Sequence, residues 1–153
     1  MALLTVYHGG YQAVDKPKIK ASKNTKDFGT GFYCTIIKEQ AQRWARRYNT
    51  KIVSIYDVKI FSELKIMEFK EMTEEWLDFI LKCRRKQDSS DYDIVMGGVA
   101  NDKVFNTVEL YFDHLIDKQE AIKRLRYEKP NMQICFRSER ALKQLHFEGS
   151  FEV

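Results

Sequence analysis

Long apolar runs are missing from this chain. No stretch approaches the roughly 20 residues that cross a bilayer, and Met1 to Gly10 has no basic region leading into an apolar one. Neither a membrane span nor a secretory leader is expected, and the protein reads as cytoplasmic. Cysteine is scarce. Cys34, Cys83 and Cys135 are odd in number, widely spaced and set in apolar patterns, which suits buried thiols rather than a disulfide framework. Histidine is equally sparse: His8, His114 and His146 lack the i, i+4 partner of a helical metal site, and no CxxC pair exists, so no metal is expected. Neither sign of charge dominates. The 26 Lys and Arg against 22 Asp and Glu leave +4, a mild excess that assists phosphate binding without requiring it.

Familiar catalytic signatures are also absent. Gly29-x-Gly31 and Gly9-Gly10 are not followed by the Lys-Ser/Thr of a P-loop, and neither opens a βαβ unit with GxGxxG spacing. There is no GxSxG, and Cys34 has no identifiable base, so nucleophilic hydrolysis has little support. No repeat, low-complexity tract or linker divides the chain.

What is present is globular. At 153 residues and 44% hydrophobic, the sequence is long enough for one core, so a single domain over 1–153 is expected. Leu3 to His8 reads as a buried strand, Asp15 to Asp27 as a Lys-rich loop, and Phe28 to Thr35 as a glycine-bearing turn entering an aromatic strand. Ile37, Ala41, Trp44, Ala45 and Tyr48 fall on one helical face, with Arg43, Arg46 and Arg47 off it. Strands are expected at Ile52 to Val58 and Leu64 to Phe69, then a helix carrying Met72, Trp76, Phe79, Ile80 and Cys83. After a strand at Tyr92 to Met96 and a helix from Asp102 to Tyr111, Asp117 with Glu120 predicts a cap for a helix holding Ala121, Ile122 and Leu125. Beyond Pro130, Gln133 to Phe136 reads as a strand, Ser138 as the cap of a helix to Leu145, and Phe147 to Val153 as a closing strand. Interspersed strands and helices of this kind make an α+β unit.

Six of the seven glycines fall in pairs beside predicted strand ends, at Gly9 and Gly10, Gly29 and Gly31, and Gly97 and Gly98. Three tight turns account for each pair singly, and their joint placement favours a cleft. Basic clusters lie at Lys16, Lys18, Lys20, Lys23 and Lys26 and at Lys82, Arg84, Arg85 and Lys86. Solvated surface is the simpler reading, because acidic residues are nearly as numerous and no aromatic residue interleaves the lysines.

Tyr7-His8-Gly9 closing the first strand, Gly31-Phe32-Tyr33-Cys34-Thr35, and a helix with Gln40-Ala41 and Trp44-Ala45 resemble the first two motifs of the His-Tyr-Glu ADP-ribosyltransferases, the group of diphtheria toxin and the poly-ADP-ribose polymerases. From Tyr7 to about Phe147 the chain also resembles a family of short bacterial proteins marked by Asp27 to Thr35, Tyr92 to Val95 and Gln133 to Phe136. The resemblance implies an ADP-ribosyltransferase-like fold, mainly antiparallel mixed sheets with flanking helices around a cleft for NAD as co-substrate. It implies that His8 holds the adenosine ribose, that the Gly9 backbone holds the nicotinamide amide beside Gly31 and Phe32, and that Tyr33 stacks on the nicotinamide ring. It further implies mono-ADP-ribosyl transfer to a protein or nucleic-acid acceptor, with a small antitoxin-like protein as partner.

The glutamate of the third motif is replaced by Gln133, which keeps a hydrogen bond and lacks the charge. Asp93, Asp102 and Glu139 are the carboxylates that stand as substitutes. Gln133→Glu is expected to restore the charge and raise release of nicotinamide. The alternative function is a non-catalytic module on the same fold that binds a nucleotide or a partner.

Overall fold

The computed structural model describes residues 3–19, 26–59, 63–100, 102–125 and 131–153, with backbone only for 102–105 and 125. In chain order the elements are β1 (Leu3–Gly10), β2 (Phe32–Cys34), α1 (Lys38–Ala45), β3 (Ile52–Lys59), β4 (Ile66–Glu68), α2 (Glu74–Arg84), β5 (Ile94–Gly97), α3 (Asp102–Phe112), α4 (Lys118–Leu125), β6 (Gln133–Phe136), α5 (Glu139–Leu142) and β7 (Leu145–Glu152). The protein is α+β. One sheet has order β1-β3-β7, all antiparallel, and the other has order β2-β6-β5-β4, antiparallel except for the parallel pair β4 and β5.

Among the described residues one backbone bridge links the two sheets. Tyr7 and Thr35 exchange backbone hydrogen bonds, 2.8 Å from Tyr7 N to Thr35 O and 2.9 Å in return. Beyond that bridge β1 and β2 separate, and α1 packs over the β1 side of the gap. Gly9 makes this packing possible: a Cβ there would lie 2.1 Å from the Ala41 carbonyl oxygen and 2.9 Å from the Ala45 nitrogen. Backbone meets backbone, so the position excludes any side chain.

The pleat sorts the second sheet into two buried faces. Phe32, Cys34, Ile94, Ile134 and Phe136 join Val6, Tyr56 and Val58 in a core shared with the first sheet. Val95 and Cys135, on the opposite face, pack with Phe28, Trp76, Leu77, Ile80, Val108 and Ala121 beneath the helices, and Tyr33 leans on this cluster. A strand covered on both faces loses polar alternation, and β6 is buried at all four positions. Each large apolar side chain so buried contributes about 1.5–3 kcal/mol.

The structure corrects two of the sequence-derived expectations. Ser138 caps its helix through Ala141 N at 3.2 Å, but that helix ends at Leu142 and Leu145 already begins β7. Hydrogen-bonding to β3 competes for those residues and wins. Trp44 and Tyr48, assigned by spacing to the apolar face of α1, are half-exposed and exposed. Only Ala41 and Ala45 of that stripe meet the sheet, because helix and strand approach so closely at Gly9. Lys20, Lys23 and Pro130 lie outside the described residues. No described helix is long and apolar enough to cross a membrane.

Candidate functional site

The gap between the sheets is the mouth of a cleft of about 660 Å³. His8, Gly9, Gly31, Phe32, Tyr33 and Gln133, all named from sequence, line it together. His8 is half-buried, and its Nδ1 lies 2.7 Å from the Tyr33 carbonyl oxygen. Since that carbonyl only accepts, Nδ1 carries the proton, and neutral His8 keeps an Nε2 lone pair with no partner among the described residues. Burial holds the imidazole pKa below its ordinary value near 6.5, against the opposing pull of the Tyr33 carbonyl. Phe32 stacks beneath the ring at 4.2 Å between centroids. His8 is thus fixed in place and in tautomer.

Tyr33 presents a face rather than a hydroxyl. Its OH donates to the Gly29 carbonyl at 2.6 Å and accepts from Phe28 N at 3.1 Å, and burial drives its pKa far above the ordinary phenol range. Both hydrogen-bonding positions of the hydroxyl are thus used within the protein, and the phenol stays protonated near neutral pH. Gly31 is required by packing, because a Cβ would sit 2.4 Å from Cys135 Sγ and 2.8 Å from the Phe136 carbonyl oxygen.

The Gly9 backbone faces the gap by the geometry of its strand. Both backbone groups of Tyr7 point away from β3 toward Thr35. Antiparallel pairing alternates this direction residue by residue, so Gly9 directs its N–H and C=O to the same side, past the point where β2 has diverged. A donor and an acceptor thus stand side by side at an open strand edge.

The opposite wall is a polar network centred on Asp27, a residue that spacing did not single out as part of the site. Its side chain is 10% exposed. Oδ1 accepts from Arg84 Nε at 3.0 Å and also from Arg84 Nη2, while Oδ2 accepts from Ala100 N at 2.8 Å and Gln133 Nε2 at 3.0 Å. Arg84 sits in the last turn of α2, whose N-terminus is capped by Thr73 and carries Glu74 and Glu75, so charge complements the helix at both ends. Gln133 Nε2 also donates to the Gly98 carbonyl at 3.2 Å, and Trp76 Nε1 donates to the same oxygen at 3.2 Å. Two acceptors fix the amide orientation, which leaves Gln133 Oε1 without a described partner on the cleft side.

Glutamate at 133 would set its carboxylate against that of Asp27 and against a carbonyl. The expected simple gain of charge therefore meets repulsion built into the fold. Of the substitute carboxylates, Asp93 is tied to Arg140 away from the cleft, Glu139 does not line it, and the Asp102 side chain lies outside the described residues.

The third wall is α1 with the turn after it. Gln40, buried, clamps Met132 in both directions, its Nε2 donating to the carbonyl at 2.7 Å and its Oε1 accepting from the N–H at 3.2 Å. Arg43, Trp44, Arg47 and Tyr48 continue along the same wall. Arg43 and Arg47 form no ion pair with a described residue, so this wall is cationic and aromatic. Helical spacing would have revealed it had the arginines been read as one stripe with Trp44. Among the described residues no three His, Cys, Asp or Glu side chains gather as a metal site, and the three cysteines are buried free thiols, Cys83 and Cys135 pushed up to about 12 by burial.

Comparison with curated proteins gives no match. One family does match, described as "Protein of unknown function (DUF3990)", over residues 4–147. A match over so much of the chain makes this protein a member of the DUF3990 family.

Proposed function

We propose that the cleft binds NAD and that the protein is a mono-ADP-ribosyltransferase on an ADP-ribosyltransferase-like fold. The observation that carries the reading is the open edge at Gly9, where one N–H and one C=O face a cleft whose lining includes the aromatic rings of Tyr33 and Trp44. A primary carboxamide is the complement of that pair, since it accepts and donates at once. A flat heterocycle bearing the carboxamide suits the aromatic faces. His8 Nε2, an acceptor with fixed tautomer, suits a ribose hydroxyl, and Arg43 and Arg47 suit a pyrophosphate.

In the transfer, the bond from C1′ of the ribose to nicotinamide N1 breaks with its electron pair going to the ring, and neutral nicotinamide leaves. The acceptor's lone pair bonds to C1′, and its proton passes to solvent. Gln133 Oε1 offers the negative end of an amide dipole to the cationic C1′, oriented by Asp27 and Gly98. A dipole stabilises less than a full charge. That limit, with Asp27 saturated by internal bonds, favours the second reading, a module that binds NAD without turnover. The sequence resemblance also supports a small neutralising protein as partner.

Calorimetry should give saturable NAD binding that His8→Ala and Trp44→Ala each weaken about five- to 150-fold. The analogue with nicotinic acid in place of nicotinamide should bind at least about tenfold more weakly, because a carboxylate cannot donate to the Gly9 carbonyl. Equal affinity for the analogue, or undiminished binding in both folded variants, would overturn the NAD reading. Bound NAD with no nicotinamide released would select the non-catalytic module.

A further inference from the structure

Outside the cleft the rim carries an unexplained feature. Tyr11, just past β1, and Tyr48, just past α1, are 54% and 44% exposed and lie against each other with centroids 5.5 Å apart, tilted by 55°. Large rings exposed together lose hydrophobic burial that neither recovers from the core. Arg43, Arg46 and Arg47 lie in the adjoining turns, all exposed and none ion-paired to a described residue. Tyr48 and Arg47 also line the cleft, so the platform is continuous with its mouth.

We propose that this rim is a docking surface for single-stranded nucleic acid, which it feeds to the cleft as the acceptor. Flat exposed rings flanked by cations are the chemistry of a base-stacking platform with backbone neutralisation. Paired duplex bases are held in their own stack, whereas an unpaired base can lie on Tyr11 and Tyr48 while its neighbour enters the concave cleft. An acidic protein would satisfy the arginines but leaves the exposed rings without a stacking partner. The inference rests on the NAD reading only for the chemistry at C1′, where a base nitrogen supplies the lone pair and loses its proton to solvent. Binding of the strand stands by itself.

The test uses the full chain and fluorescein-labelled 12-nucleotide DNA and RNA of mixed sequence, read by anisotropy without NAD. Single strands should bind more tightly than the matching duplex. Tyr11→Ala, at an exposed position outside the cleft lining, should weaken the strand about five- to 150-fold and leave NAD binding by calorimetry unchanged. Arg46→Gln should reduce the slope of log affinity against log salt by about 0.7. Absence of strand binding, preference for duplex, or a Tyr11→Ala variant with wild-type affinity would each overturn the proposal. Incubation with radiolabelled NAD and a cell lysate separates the two readings: nuclease-sensitive label supports the nucleic-acid acceptor, and protease-sensitive label overturns it. Strand binding with no NAD bound would sink the NAD reading and leave the docking surface standing.

Discussion

The two ends of β5 are built alike and differ in what they leave over. Before the strand, Asp93 accepts from Ser138 Oγ at 2.6 Å, Lys65 N at 2.8 Å, and Arg140 Nε and Nη2 at 3.0 and 2.6 Å. After it, Asp27 gathers Arg84, Ala100 N and Gln133 into an equally saturated carboxylate. At the Asp93 end the network is closed, and its arginine is 59% exposed to solvent. The Asp27 end lies in the cleft, where Gln133 Oε1, His8 Nε2 and the Gly9 edge have no partner among the described residues. Saturation marks structure, and under the NAD reading the unmatched polar groups are those that meet the ligand.

The largest expected difference between the ends lies in stability. Asp27→Asn places an amide among four donors and removes the buried carboxylate that Arg84 meets with two of them, at a cost of about 3–5 kcal/mol. Asp93→Asn should cost less, about 1–3 kcal/mol, because water reaches Arg140. Urea midpoints of both variants test the ranking, and a larger loss at Asp93 would break the comparison. The Asp93 end should also respond to acid. The Arg140 guanidinium holds the Asp93 carboxyl well below the ordinary carboxylate range, so its contribution is complete above about pH 4 and is lost as pH falls further. Asp93→Asn should flatten that acid limb.

A smaller effect is expected at Gln133. With a carboxylate 3.0 Å away at Asp27, the Gln133→Glu side chain should bind a proton more tightly folded than unfolded. Its cost, about 1–3 kcal/mol at pH 8, should shrink at pH 5, where the protonated acid can donate to Asp27. Equal losses at the two pH values would show that the amide–carboxylate contact does not govern this wall.

The smallest effect concerns His8. Its folded-state pKa is depressed, so the unfolded chain binds the proton more readily, and stability falls as pH drops below about 6.5. Protonation also turns the Nε2 acceptor into a donor, so NAD affinity should fall later in the same acidification, as pH drops through the depressed folded-state value. His8→Asn should remove both slopes, as followed by denaturation and calorimetry from pH 7.5 to 5.5.

Much of the scaffold was legible from spacing, since apolar periodicity is local. The β6 span from Gln133 to Phe136, the helix α2 carrying Trp76, Phe79, Ile80 and Cys83, and the Asp117 cap, whose Oδ1 accepts from Glu120 N at 2.8 Å, follow from residues within one or two turns of one another. His8, Tyr33 and Gln133 line one cleft. The pattern misled at Trp44 and Tyr48, whose helical phase was right. Their environment was set by how closely α1 could approach β1.

The sequence by itself determined the strands, the helices and the residue types available to the cleft, because those depend on near neighbours. Tertiary structure decided which polar atoms were already used. Asp27 and Gln133 are 106 positions apart, and Gln40 and Met132 are 92. No local pattern records such pairings, because a hydrogen bond depends on distance in space and the folded backbone alone fixes that distance. The same holds for Gly9, whose backbone groups face the cleft because the β1–β2 pairing ends at Tyr7 and Thr35.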